Sequence, residues 1–254
     1  LTRLKGVGPS MERKFSRLGI RNIEDLLFHL PLRYEDRTHI TAIRQARLGA
    51  FVQLEGQIRS TTVQFGRRRS LQCLMVDSTG VIHLRFFHFS AAQKNSLAEG
   101  VRIRCYGEVR RGRSGPEIYH PEYRILKAGQ EEPVPDTFTA VYPTTDGLQQ
   151  GRMRGVINQA LSLLDQAGGL KENLPPEIIR QFKLFGLTES IKLIHRPPLD
   201  APLEWMNADT NPGAKRLAFE ELLAHRLCMR RFKTLYAQRQ APALEEGGEL
   251  VKQF

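Results

Sequence analysis

The chain has 254 residues, 41% of them hydrophobic, and carries a formal net charge of +11 with a pI near 9.9. This composition predicts a globular protein, and its positive charge favours nucleic acid as partner over an anionic membrane. No apolar run approaches the ~18 residues of a membrane span and the amino terminus does not resemble a signal peptide, so we expect a cytoplasmic protein without membrane attachment.

Cysteine and histidine spacing indicates neither a disulfide framework nor a metal site. Cys73, Cys105 and Cys228 are far apart and form no CxxC pair, so we expect all three to be small core residues. None of the seven histidines falls into an HExxH pattern. The sequence therefore predicts no metal and no cofactor in this chain.

Residues 1–45 predict an amino-terminal helical region resembling a helix-hairpin-helix. A glycine turn, Gly6 to Gly8, precedes Pro9, where a helix can begin. Asn22 can cap a second helix that Pro31 ends. Free backbone N–H groups at such a glycine turn can hold a phosphate, which makes Gly6 and Gly8 a candidate phosphate-binding turn. The alternative is a plain helical packing unit.

Residues 46–130 predict a β-rich domain of five strands with a helix between the third and fourth. Alternating apolar residues and turn signals place these strands at about 52–59, 70–76, 81–89, 101–109 and 118–126. The order β-β-β-α-β-β within roughly 80 residues is typical of the OB-fold, a five-stranded Greek-key barrel. The predicted fold class is therefore α+β and multidomain, with an OB barrel flanked by helical segments.

Two basic turns of this domain coincide with the loops through which OB-folds bind oligonucleotides. Residues 46–127 hold fourteen basic and six acidic side chains, a net +8. The turns supply the candidate phosphate-binding residues Arg67, Arg68, Arg69, Arg110, Arg111 and Arg113. Solvated turns without a ligand are the alternative, but their occurrence at both loops favours binding.

Strand alternation predicts which large side chains face solvent. In the third strand Ile82, Leu84 and Phe86 should fill the barrel, leaving Phe87 outside. The outer surface would then carry rings for base stacking beside guanidinium groups: Phe87, Phe89, Tyr106, Arg85, Arg102 and Arg104. The alternative is that Phe87 and Phe89 pack beneath a neighbouring helical domain.

Residues 131–254 predict a helical linker region without a catalytic centre. The segment around KAGQEEPVPDTF is typical of a linker, a helical stripe follows near 153–164, and a long helix runs from about 213 to 239. The dipeptide Gly-Lys never occurs, so the chain holds no GxxxxGK[ST] phosphate loop. We therefore expect this chain alone to lack ATPase activity.

Motifs along the whole chain resemble one protein family. The segments LKGVGPSMERKFSRLGIRNIEDLLFHLPLRYEDRT, RFFHFSAAQKNSL, YGEVRRGRSGPEIYHPEY, VYPTTDGL, IHRPP and KRLAFEELLAHRL resemble, in this order, the amino-terminal wedge region of RecG helicases. This resemblance implies recognition of branched DNA, such as forks and Holliday junctions, by a strand-separating wedge in repair and recombination. It also implies an ATP- and Mg-dependent helicase motor outside this chain, to which residues 131–254 lead.

The same resemblance implies further residues and partners. The family's aromatic pair at the branch point matches Phe86 and Phe87, and strand alternation favours Phe87 as the exposed ring. A further family aromatic corresponds to Ala91, and Phe89 is its candidate substitute. A monomer, a partnership with the single-stranded-DNA-binding protein and a location at the bacterial nucleoid are also implied. A free-standing OB module for single-stranded nucleic acid and an OB protein-interaction module remain as alternatives.

Overall fold

The computed structural model describes residues 1–65, 69–112, 114–127, 133–207 and 209–238, which form two compact units. One unit contains residues 1–30, 144–195 and the described residues from Pro202 onward, and the other contains residues 31–143 and 196–201. The contacts thus divide the chain differently from the three consecutive segments predicted above, with the amino-terminal and later helices in one unit.

The first unit is helical, and its amino-terminal helices pack on helices more than a hundred residues away. Its helices are α1 (Pro9–Arg17), α2 (Ile23–Leu27), α4 (Gln150–Gln166), α5 (Pro176–Gln181), α6 (Leu187–His195) and α7 (Pro212–Ala237); α3 (Ala91–Ser96) lies in the other unit. The Lys5 N–H donates to Gln159 Oε1 at 2.7 Å, and the His195 Nε2 and Leu27 carbonyl oxygen are 2.8 Å apart. Short amphipathic helices cannot bury their apolar faces alone, which explains this grouping.

Local signals in the helical unit predicted several features correctly. Asn22 accepts a hydrogen bond from the Asp25 N–H at 2.8 Å and completes a capping box at the start of α2. The predicted stripe on α4 is buried throughout: Met153, Val156, Ile157, Ala160, Leu161 and Leu164. Cys228 is exposed on α7, so its predicted core position was wrong, whereas Cys73 and Cys105 are buried in the barrel.

The second unit is a closed barrel with the strand order of an OB-fold. Its strands and helix are β2 (Phe51–Gln64), β3 (Ser70–Val76), β4 (Val81–Phe86), α3 (Ala91–Ser96), β5 (Arg102–Gly112), β6 (Gly115–Tyr119) and β7 (Glu122–Ile125). The sheet order is β2-β3-β4-β6-β5, and β5 closes the barrel by pairing with β2. Strands β4 and β6 are parallel, and the other pairs are antiparallel. The predicted OB barrel is confirmed.

The predicted last strand is divided into two. His120 has a positive φ of 47° and Pro121 has no backbone N–H, so the ladder stops after β6. Strand β7 then resumes by pairing with the first half of β5. This break brings His120 beside the end of β4.

Residues 31–45 belong with the barrel and are not helical as predicted. A short strand, β1 (Arg33–Glu35), pairs with β8 (Thr139–Val141), and Ile43–Gln45 forms a single 3₁₀ turn. The barrel interior is filled by aliphatic, sulfur-containing and aromatic side chains from all of its main strands. Strand β2 passes close to β3 at Gly56, where a Cβ atom would lie 2.5 Å from the Val76 carbonyl oxygen.

Among the described residues, no helix is both long and apolar enough to cross a membrane. The described part of the chain also contains no cluster of three or more histidine, cysteine or acidic residues arranged to hold a metal ion.

Candidate nucleic-acid interface

The end of β4 presents one buried ring and one half-buried ring. Phe86 is the last residue of the strand and only 3% of it is exposed, in line with buried Ile82 and Leu84. Phe87 follows the strand and is half-buried. The predicted alternation is confirmed as far as Phe86, and the suggested stacking role of Phe86 is not supported because its ring belongs to the barrel core.

Phe87 is part of a group that we call the aromatic cluster: Phe87, His88, Tyr119 and His120. The Phe87 ring lies edge-on to Tyr119, with centroids 5.4 Å apart, and is tilted on His120 at 5.5 Å. His88 stacks on His120 at 6.1 Å. The ring of Phe87 therefore contacts two protein rings and remains partly exposed.

Tyr119 and His120 were not identified as site residues from the sequence. Strand β6 is parallel to β4 and pairs Arg85 with Tyr119, which carries Tyr119 and His120 to the same end of the barrel as Phe87. The OB topology could have identified them, because its third and fifth strands, here β4 and β6, are neighbours. Residues at the end of β6 are then expected beside Phe87.

Phe89 does not lie on the outer face as predicted. It packs against the barrel core, and the Arg69 guanidinium lies 4.9 Å from the centre of its ring. The cause is that β4 ends at Phe86, so the alternation of a strand no longer applies three residues later. Phe89 is thus partly buried against the barrel core, with the Arg69 guanidinium over its ring.

Arg85 is engaged by a buried carboxylate and is not a free phosphate-binding group. Its Nε and Nη2 donate to both carboxylate oxygens of Glu117 at 2.9 Å, and Glu117 is only 1% exposed. A bidentate pair of this kind fixes both side chains in one geometry. The prediction that Arg85 faces DNA is corrected, because its guanidinium neutralises Glu117 across the β4–β6 ladder.

The outer face of β5 is covered at Tyr106, contrary to expectation. Tyr106 is 7% exposed; the Arg37 guanidinium lies 4.1 Å from its ring centre and Phe51 stacks on it at 6.2 Å. Burial raises the pKa of the Tyr106 phenol to about 12. Segment 31–37 therefore occupies the surface that was predicted to expose this ring for a base.

The two predicted phosphate-binding arginines at the start of β5 are tied to one carboxylate. Arg104 is buried, pairs with Glu55 and donates to the Pro133 carbonyl oxygen at 3.0 Å. Arg102 also pairs with Glu55, at 2.6 Å, but remains exposed. Arg102 can still meet a phosphate, whereas Arg104 cannot without losing its partners.

The strand ends that flank the two basic turns lie at opposite ends of β4. Leu71, at the start of β3, pairs with Phe86, whereas β6, which follows the other turn, begins near the start of β4. Of the predicted phosphate-binding arginines in these turns, Arg67, Arg68 and Arg113 lie outside the described residues. Phe65, which is 83% exposed at the same β2–β3 turn, was not considered from the sequence.

Arg110 and Arg111 lie in strand β5 and not in the turn that follows it. Arg110 pairs with Glu108 at 2.6 Å, and its guanidinium lies 5.7 Å from the Tyr119 ring centre. Arg111 is exposed and forms no ion pair with any described residue. The Arg110 guanidinium is therefore accessible to a phosphate beside the aromatic cluster, and the Arg111 guanidinium to a phosphate further along β5.

The Gly6–Gly8 turn has the conformation of a helix start. Gly6 adopts a positive φ of 85°, and Gly8 precedes α1 with its carbonyl oxygen accepting from the Met11 and Glu12 N–H groups. Phosphate binding at this turn stays a prediction.

Comparison with known proteins identifies relatives over the whole chain. The family model of the RecG wedge domain matches residues 2–164. The ATP-dependent DNA helicase RecG of Pasteurella multocida is 43% identical over 254 residues, which is 100% of this chain and 36% of that protein. The RecG of Escherichia coli K12 is 42% identical over 229 residues, 90% of this chain and 33% of that protein.

A solved structure of RecG bound to a three-way DNA junction is similar in fold. Its TM-score is 0.63 at 25% sequence identity, and the match covers 99% of this chain and 33% of that chain. This chain thus spans about a third of the length of the curated relatives that it matches.

Proposed function

Because this chain belongs to the RecG wedge-domain family, we propose that it is the module of a RecG-like helicase that recognises branched DNA and separates its strands. The observation that carries the proposal is the match of 99% of the chain to a structure of RecG bound to a three-way DNA junction. The substrates would be replication forks and Holliday junctions, in DNA repair and recombination.

The aromatic cluster gives this proposal a physical basis. At a branch point the last base pair of each arm has no stacked neighbour, and a protein ring can take that place. Stacking requires no particular base, as a protein that works on forks of any sequence demands. Phe87 is a half-buried ring in edge-on contact with Tyr119. Positive charge comes from Arg110 beside the Tyr119 ring, from Arg69 beside the Phe89 ring, and from exposed Arg111 further along β5.

The activity of the whole protein is a further part of the proposal. Relatives about three times as long are ATP-dependent DNA helicases, so the wedge would act together with an ATP- and Mg-dependent motor. We place the protein in the bacterial cytoplasm at the nucleoid, as a monomer that engages the single-stranded-DNA-binding protein through the barrel. This chain contains no GxxxxGK[ST] loop of its own.

Binding of matched DNA ligands tests the proposal. Fluorescence anisotropy of the 254-residue chain with a three-way fork, a linear duplex and a single strand of the same sequences should give the lowest Kd for the fork. Equal affinity for fork and single strand would instead indicate a general single-stranded nucleic-acid-binding module. Absence of binding to all three ligands would favour a protein-interaction module.

A further inference from the structure

His120 occupies an unusual place at the end of the β4–β6 ladder. Its backbone N–H donates to the Arg85 carbonyl oxygen at 2.8 Å, as the next residue of a paired strand would. Its φ of 47° then turns the chain away from β4, and Pro121 follows. The regular backbone pairing of β4 therefore has no continuation beside Phe87.

The His120 side chain replaces the missing backbone partner. The Phe87 N–H donates to His120 Nε2 at 3.1 Å, so the imidazole accepts the hydrogen bond that a strand carbonyl would otherwise receive. An imidazole nitrogen accepts only when it carries no proton, so this bond requires the neutral ring with its proton on Nδ1.

The same imidazole contacts three rings. It meets the edge of Phe86 at 6.1 Å, is tilted on Phe87 at 5.5 Å and stacks on His88 at 6.1 Å. Arg85 and Glu117, on the β4–β6 ladder that precedes His120, form an ion pair with each other. Partial burial and the neighbouring His88 lower the pKa of His120, which keeps the imidazole neutral at neutral pH.

We propose that His120 is a positioning residue that holds Phe87 in the orientation needed to stack on a base at a DNA branch point. This assignment rests on the proposed function for its purpose and on the Phe87–His120 contacts for its geometry. The His120 backbone N–H binds the Arg85 carbonyl oxygen, and the His120 imidazole binds the Phe87 N–H. These two hydrogen bonds hold the backbone at Phe87, so its side chain projects from the end of β4 in one direction.

A pair of variants separates the hydrogen bond from the backbone conformation. His120→Ala removes the acceptor, whereas His120→Gln presents an amide oxygen near the position of Nε2 and does not titrate. Both keep a Cβ atom at the same positive φ, so they share its strain. A difference in thermal unfolding between the two variants therefore reports the side chain and not the backbone conformation, which makes them matched controls for one another.

NMR of the free chain tests the geometry without DNA. In the wild-type chain the Phe87 amide resonance should shift as the pH falls below the ordinary histidine range near 6.5, because protonation of Nε2 breaks the bond. This shift should be absent in His120→Gln, and in His120→Ala the Phe87 amide should exchange with solvent faster at all pH values. A Phe87 amide that ignores both the pH and the His120→Ala substitution would overturn the proposal.

Fork binding tests whether His120 supports DNA recognition through Phe87. His120→Ala should weaken fork binding on the order of tenfold, His120→Gln should restore most of it, and neither should matter once Phe87 is alanine. Equal and undiminished effects of His120→Ala with and without Phe87 would refute positioning, since His120 would then act on DNA by itself. If the NMR results hold but the wild-type chain shows no preference for forks, the proposed function fails and the structural role of His120 stands.

Discussion

Removing the Phe87 ring should affect DNA binding more selectively than folding. A fully buried phenylalanine contributes about 1.5–3 kcal/mol to stability, and an edge-on aromatic pair adds about 0.5–1.5 kcal/mol. Phe87 is half-buried and has one such neighbour, Tyr119. We therefore expect Phe87→Ala to lower the free energy of unfolding by about 1–3 kcal/mol, which leaves the barrel folded.

Loss of base stacking should weaken fork binding by about 1–3 kcal/mol, a factor of about 5 to 150 in Kd. The assay is anisotropy with fork and linear duplex of the same sequence, and the duplex should be much less affected because its bases are already stacked. Urea denaturation of the same samples measures stability.

Phe86→Ala is the matched control at the neighbouring position. Its ring is buried in the barrel, so its loss should destabilise the chain by about 3–5 kcal/mol. If Phe87→Ala unfolds the chain as severely as Phe86→Ala, the Phe87 ring is a core residue. If Phe87→Ala weakens fork and duplex binding equally, the ring does not stack at the branch. Either result refutes the reasoning.

Three further outcomes follow from the ion pairs and the covered face. Glu117→Ala should lower the free energy of unfolding by about 2–3 kcal/mol in urea denaturation, because it leaves the largely buried Arg85 uncompensated, and Arg85→Met with Glu117→Leu should recover most of this loss. Replacing Arg110 and Arg111 by alanine should flatten the dependence of log Kd on log salt by about 0.9 per lost duplex phosphate contact, and an unchanged slope would show that neither meets DNA. The neutral phenol of Tyr106 persists in the fold to a pKa of about 12 and ionises near 10 when unfolded, so Tyr106 should make stability fall between pH 10 and 12. In urea denaturation Tyr106→Phe should make this fall smaller, and the remainder should come from Tyr34 and Cys105, whose pKa values burial also raises.

The periodicity of apolar residues predicted burial correctly where one face of a strand or helix is buried. The alternation from Ile82 to Phe86 and the helical stripe on α4 both follow from the burial of one side of a regular element. The same rule failed at Phe89, because the strand had already ended. Periodicity therefore identifies the core ring, Phe86, but not the surroundings of the rings after it.

Contacts between distant segments could not be predicted from local pattern. Arg85 and Glu117 are 32 residues apart, and nothing near Arg85 in sequence indicates a carboxylate partner. The covering of Tyr106 by Arg37 is likewise a tertiary contact, made by a segment that was predicted to be helical. The order of strands predicted the barrel and the family resemblance indicated the Phe86–Phe87 pair, but neither showed which basic residues are already paired within the protein.

The cover over β5 has a practical consequence for the design of fragments. A piece cut at the sequence-based limits, 46–130, would lose Arg37 from above Tyr106, the Arg37 carbonyl oxygen that accepts from Gln53, and the Pro133 carbonyl oxygen that accepts from Arg104. It would expose the Tyr106 ring and the polar side chains of Gln53 and Arg104, all of which are buried in the intact unit. Such a fragment would present these groups to solvent, so expression should start no later than Pro31 and retain β8.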